Sequence, residues 1–180
     1  GLVFSDTFGR EGPFGNIAHG CSSIVADILA VNTGEYVVTE AGFGADLGFQ
    51  KFMDIKVRQG GPKPSAAVVV ATIRGLKWHG GVEQEDLDKT DVEAVRRGAE
   101  NLKNAIRIVK MYGLPVVVAI NRFPTDSQDE VKLVKELAKE FGASGVEEAK
   151  GFTEGGAGMT ELAEAVVEAC DEGANVKLLY

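Results

Sequence analysis

Three phenylalanines, Phe43, Phe123 and Phe152, each fall in a polar or glycine-rich stretch that follows an apolar, strand-like run. An apolar ring in such a loop is costly unless it packs on something, and a planar heterocycle between two such rings would gain offset stacking. The competing reading for any one ring is a simple loop anchor. Asn121-x-x-x-x-Asp126 could offer an amide and a carboxylate to a purine edge. The same pair serves equally as turn and cap residues before the next helix. Gly42-x-Gly44-x-x-x-Gly48 lets the backbone turn sharply and approach a ligand. It has one residue too many for the dinucleotide fingerprint, so a plain tight turn explains it as well. Lys77, Trp78 and His79 offer a cation for phosphate or carboxylate and a ring for stacking. His19 and His79 lack metal-ligand spacing, so no metal site is expected. A GxxxxGK[ST] phosphate loop is absent.

The elements that must position these residues follow from periodicity. Strands are expected near 36–40, 66–73, 115–120 and 145–149, the second and third as continuous apolar runs typical of strands buried on both faces. Helices are expected between them. One starts at Asn16 and buries Ile17, Ala18, Cys21, Ile24, Val25, Ile28 and Leu29. Another is capped by Asp46. A long one over 92–112 carries Val92, Val95, Ala99, Leu102, Ile106 and Val109 on one face, and others cover 129–141 and 159–172. Strands alternating with helices predict an α/β fold, a parallel sheet covered on both faces. In such a sheet the strands' carboxyl ends share one edge, where ligands bind. Four strand-end loops are therefore expected to share one site.

The 180 residues suit one α/β domain, 44% hydrophobic and able to bury a core, or a large piece of a longer chain. A net charge of −8 argues against general binding to nucleic acid or anionic membranes. Cys21 and Cys170 form no CxxC or framework and read as free thiols in a reducing compartment. No apolar run is long enough to span a bilayer.

GPFGNIAHG (12–20), VVTEAGFGADLG (37–48), KPSAAVVVATIRGLKWHGG (63–81) and PVVVAINRFPTD (115–126) together resemble the formate–tetrahydrofolate ligase (10-formyltetrahydrofolate synthetase) family. The resemblance runs from about Phe8 to Tyr180. It implies a P-loop NTPase-like α/β fold, incomplete here, because the family's P-loop precedes this stretch and another large segment follows it. The phosphate-binding Lys and a nearby catalytic Arg would then lie outside the chain, which alone is expected to be inactive.

The resemblance further implies ATP-dependent ligation of formate to tetrahydrofolate through formyl phosphate, with Mg²⁺ on the nucleotide and a monovalent cation, K⁺ or NH₄⁺, in support. It implies a homo-oligomeric full-length enzyme, cytoplasmic or, in a eukaryote, mitochondrial. Carried over by motif, Gly15 belongs to the nucleotide pocket and Asn121 and Pro124 border the adenine. Gly48 lies near the phosphate and formyl phosphate, Phe43 lies by the folate and intermediate, and Phe123 walls the pterin slot. The opposite wall is a Trp in the family; Phe152 stands there, so stacking keeps less area. Arg10 replaces a His of several bacterial members, whose role does not transfer. Two rivals are a non-catalytic folate- or partner-binding module that lost its P-loop, and a Rossmann-type dehydrogenase domain. The latter lacks an evident acidic residue about 20 positions past the 42–48 turn.

Overall fold

A computed structural model of the chain describes residues 2–3 and 21–180. The chain falls into two compact units, Gly1–Pro64 with Val176–Tyr180, and Ser65–Asn175.

In the first unit, β1 (Leu2–Val3) pairs in parallel with β2 (Val37–Val38). Between them runs α1 (Ile24–Val31), whose N-cap Ser23 accepts a hydrogen bond from the Ala26 N–H at 3.1 Å. Residues 16–20 of the expected helix lie outside the described residues, and Cys21 and Ser22 are not helical. The buried face is also not the expected one. Ala26, Asp27 and Ala30 are buried, while Val25, Ile28 and Leu29 are exposed. The inward face carries a charge: Asp27 pairs with buried Lys56 and accepts a hydrogen bond from the Thr39 hydroxyl at 3.3 Å. Once buried, the pair cannot be parted without leaving an uncompensated charge, which is strongly destabilising, so it holds this face of the helix inward.

After β2 the chain enters two wide-turn π segments, Ala45–Phe49 and Phe52–Val57, joined through helical Gln50 and Lys51. The cap is Gly44, without a side-chain hydrogen bond, and not Asp46. Gly48 packs so closely on the turn that a Cβ there would collide with the Gly42 carbonyl. The glycine is therefore required for this turn to fold back on its own helix.

The second unit is a three-stranded, all-parallel sheet in the order β3 (Ala67–Ala71), β4 (Val116–Asn121), β5 (Gly145–Ala149). The strand at 36–40 is not part of it; β2 belongs to the separate two-stranded sheet. Val116 to Ile120 of β4 are all buried, as a continuous apolar run in a central parallel strand should be. β3 departs from that expectation. It is the sheet's edge among the described residues, and Val68 is 43% and Val70 66% exposed.

β3 ends at Ala71 because the Thr72 hydroxyl accepts from the Gly75 N–H at 3.0 Å and starts α2 (Ile73–His79). What reads in sequence as a glycine-rich loop is thus a short helix. It packs on α3 (Val92–Met111), which buries Val95, Ala99, Leu102, Ile106 and Val109 as expected. Gly98 permits the close approach, since any Cβ there would strike the Leu76 carbonyl. α4 (Gln128–Glu140) begins with a capping box: the Ser127 hydroxyl accepts from the Glu130 N–H and the Glu130 carboxylate accepts from the Ser127 N–H. After β5 come the short α5 (Gly151–Glu154), the 3₁₀ segment Gly155–Met159, and α6 (Thr160–Glu172). Leu162 and Ala169 of α6 pack against Val117 and Ala119 of β4, and α3 and α4 also lie against the sheet.

Candidate functional site

The parallel sheet delivers its carboxyl ends to one edge, and the hydrogen-bonded turn after β4 stands there. Asn121 closes β4, beside Ala149 at the end of β5. The Arg122 N–H donates to the Ala149 carbonyl at 3.3 Å. The turn then doubles back: the Asp126 N–H donates to the Phe123 carbonyl at 3.0 Å, and the Phe123 N–H donates to Asp126 Oδ2 at 2.8 Å. Asp126 thus acts as the turn residue of its sequence alternatives. Its other oxygen, Oδ1, is buried without a hydrogen-bond partner. The cap of the following helix is Ser127. Burial pushes the Asp126 carboxyl above its ordinary value, against the Phe123 N–H and the Arg122 and Lys77 charges.

Charged neighbours brace this turn. Arg122 pairs with Glu148 Oε2 at 2.6 Å and also donates to the Asp126 carbonyl. Lys135 reaches Glu148 Oε1 at 3.0 Å. Burial raises the Glu148 carboxyl, but the hydrogen bonds from Lys135 and Arg122 outweigh it and hold the group below its usual value. On the far side, the Arg74 guanidinium lies over the Phe123 ring, 5.8 Å from its centroid. Phe123 itself is 38% exposed. Phe152 sits on α5 directly after β5, 93% exposed. The adjacent strands β4 and β5 therefore each lead into an exposed ring.

Among the predicted ligand-facing residues, Lys77 is corrected. It is fully buried, paired with Glu130 Oε1 at 3.2 Å and donating to the Lys89 carbonyl at 2.9 Å. Position on α2 explains the error: the side chain points into the α2–α4 contact and away from solvent. Trp78 and His79 are exposed. Asn121, Pro124, Phe123 and Phe152 belong to the second unit, and Phe43 and Gly48 to the first. The expectation of four loops on one sheet edge is thus replaced by a three-strand edge. Gly15 and His19 lie outside the described residues. Phe43 is 60% exposed with φ +64°, a left-handed backbone that a bulky residue rarely adopts. Strain of this kind clusters at ligand-contacting loops.

Two residues of this neighbourhood escape a reading of the sequence. Arg74 and Asp88 meet the 121–126 turn only through tertiary contacts: Arg74 pairs with Asp88 at 3.1 Å, and the Thr125 hydroxyl donates to the same carboxylate at 3.3 Å. Arg74 lies within a quoted motif, but nothing in its spacing points at Phe123. Among the described residues, no group of three or more His, Cys, Asp or Glu is arranged to hold a metal ion, and no helix is long and apolar enough to cross a membrane. Both cysteines are free thiols, and burial raises the pKa of each.

An α/β unit with a parallel sheet and a ring-bearing carboxyl edge is the class that fold and site define. Comparison with known proteins narrows it. The family model for formate–tetrahydrofolate ligase matches residues 5–180, and the chain belongs to that family. It is 50% identical over 179 residues to the formate–tetrahydrofolate ligase of Desulforamulus reducens, covering 95% of this chain and 32% of the relative. It is 54% identical over 164 residues to that of a Sphingobium species, covering 91% and 29%. With that of Symbiobacterium thermophilum it shares 49% identity over 180 residues, covering 99% and 32%. The chain therefore spans about a third of the length of the curated relatives it matches.

Proposed function

We propose that this chain supplies part of the nucleotide and folate site of an ATP-dependent ligase that joins formate to tetrahydrofolate. The observation that carries the reading is the half-exposed ring of Phe123, whose backbone N–H is held by the Asp126 carboxylate at the carboxyl end of a buried parallel strand. Asn121 and Pro124 flank it on the same turn.

The side chains present fit planar heterocycles. Asn121 is half-buried and brings one donor group and one acceptor to an adenine edge. Pro124 adds an apolar surface. Phe123 and Phe152, at neighbouring strand ends, offer aromatic faces to a pterin. Phe43, exposed on its strained turn, is assigned to the folate and formyl phosphate, and Gly48, packed on the Gly42 carbonyl of the same turn, to the phosphate. ATP, when bound with Mg²⁺, supplies the phosphoryl group that turns formate into formyl phosphate, a monovalent cation assisting. The chain's own contribution is positional: Phe123 and Phe152 hold the pterin so that the anilino amine of tetrahydrofolate, next to the pterin, faces the formyl carbon. Fixing two reactants this way converts a bimolecular encounter into a local one.

The test is steady-state kinetics on a full-length ligase carrying this segment. Stacking of a heterocycle on an aromatic ring is worth roughly 1–3 kcal/mol. Phe123→Ala is therefore expected to raise KM for tetrahydrofolate about tenfold or more while leaving KM for ATP within about twofold. An unchanged KM for tetrahydrofolate would sink the assignment.

A further inference from the structure

We propose that Arg74, anchored by Asp88, is a positioning residue that fixes one face of the Phe123 ring and leaves the other as the binding face for the pterin. The inference rests on the assignment of Phe123 above and deepens it.

The geometry is a three-way tie. Arg74 stands in the first turn of α2, directly after β3, and β3 pairs with β4 so that Ala71 lies beside Ile120. Its guanidinium covers the Phe123 ring at 5.8 Å from the centroid, within the range where a cation is drawn to the negative face of an aromatic ring. Asp88 Oδ1 takes both the Arg74 guanidinium and the Thr125 hydroxyl. One carboxylate oxygen thereby joins α2 to the turn that carries Phe123. The backbone of Phe123 is fixed independently by Asp126. Asp126 therefore sets where the ring starts, and Arg74 sets how it lies.

Two consequences follow from the charge. A cation against one face excludes a stacked ligand from that face, so only the other face of Phe123 is open to the slot. It also withdraws electron density from the ring, which makes the free face a better partner for an electron-rich heterocycle. A reduced pterin is such a heterocycle; an oxidised one is poorer. Arg74 and Asp88 are both partly exposed to solvent, and exposed pairs add little to stability. Replacing either alters the surroundings of the ring without removing a core contact.

The experiment uses a full-length ligase carrying this segment, with Arg74→Met, Arg74→Lys, Asp88→Asn, Phe123→Ala and the Arg74→Met/Phe123→Ala double variant. Expected is a rise of about two- to fivefold in KM for tetrahydrofolate in Arg74→Met, with KM for ATP and kcat unchanged. Arg74→Lys should recover part of the loss, and Asp88→Asn should shift KM in the same direction by less. In the Phe123→Ala background Arg74→Met should add nothing, because a residue acting through another has no effect once that other is gone. Inhibition by oxidised folate should change less than KM for tetrahydrofolate. An additive double variant overturns the proposal. So does an unchanged KM in Arg74→Met when Phe123→Ala raises it. If Phe123→Ala itself leaves KM unchanged, the slot assignment fails and the inference falls with it. Should Arg74→Met fail to fold, Asp88→Asn, on an exposed loop, tests the proposal by its smaller rise in KM, which must likewise vanish in the Phe123→Ala background.

Discussion

Lys77 and Glu130 form an ion pair with no solvent exposure on either side, Nζ to Oε1 at 3.2 Å. The pair is the hub beneath the Phe123 turn. Lys77 also donates to the Lys89 carbonyl, and Glu130 accepts from the N–H groups of Asp91 and Ser127 and from the Ser127 hydroxyl. Helix α2, the 83–91 loop and helix α4 therefore share one buried charge cluster. Removing one member of a buried pair leaves the other uncompensated and costs about 3–5 kcal/mol. Lys77→Met should lose stability of that order in urea unfolding followed by circular dichroism. Lys77→Met/Glu130→Gln should recover a substantial part, because no unpaired charge remains. A double variant no better than the single would mean that the loss comes from packing and not from the charge.

The two buried carboxylates of this region should respond to acid in opposite senses. Burial raises the Glu130 pKa, but the Asp91 and Ser127 hydrogen bonds and Lys77 outweigh it, and the group stays below its ordinary value. Its contribution is present above the unfolded carboxylate pKa and is lost as pH falls through the lower folded value. Asp126 has a raised pKa, with burial as the main cause. Its favourable contribution is complete below the unfolded value and disappears as pH rises through the folded one. Asp126→Asn keeps an acceptor for the Phe123 N–H and removes the charge. It should melt at or above the parent temperature at neutral pH, and the gap should close as the solution is acidified through the carboxylate range. A gap that widens on acidification would contradict the burial argument.

The periodic elements were legible because their patterns are local. The α3 stripe from Val95 to Val109 and the β4 run each sit within a few turns of sequence, whereas the Ser127 cap of α4 was not the residue read as its cap. The family was legible as well, from long motifs in order. Three things were not. Val25, Ile28 and Leu29 form an apolar helical face, but Asp27 pairs with a residue far along the chain, Lys56, and that buried pair holds the Asp27 face inward. The 36–40 run looks like a strand of the main sheet because alternation says nothing about which strand it pairs with. Ile73 reads as the last strand residue and 74–79 as a loop because Thr72 as an N-cap is less conspicuous than the neighbouring glycines. At the site, Asn121, Phe123 and Pro124 were visible as one motif. Arg74 and Asp88 were invisible, since only the tertiary fold brings them to the ring.

Edge strand β3 predicts how the 180-residue chain behaves on its own. Val68 and Val70 lie on the sheet face shared with Val117 and Ala119, where α6 covers β4 but leaves β3 open. An exposed apolar edge strand is a template for pairing with another chain. The isolated chain should self-associate in a concentration-dependent way by analytical ultracentrifugation. Val68→Lys/Val70→Lys should suppress this with little loss of stability, because both side chains already face solvent. Association undiminished in that variant would place the sticky surface elsewhere, with the exposed aliphatic face of α1 the next to test.

Phe43 separates strain from packing. A non-glycine residue in the left-handed region carries roughly 1–2 kcal/mol of backbone cost, and its ring, 60% exposed, recovers little by burial. Glycine adopts that conformation freely but loses roughly 0.5–1 kcal/mol more in chain entropy on folding. Phe43→Gly should therefore leave stability within about 1 kcal/mol of the parent, or raise it. The same substitution in a full-length ligase carrying this segment should weaken the handling of tetrahydrofolate, because the ring assigned to the folate is gone. The two readouts move apart only if the strained turn exists to present the ring to a ligand. A loop-anchoring phenylalanine gives the reverse result, a clear fall in melting temperature with KM for tetrahydrofolate unchanged, and finding that would remove Phe43 from the site.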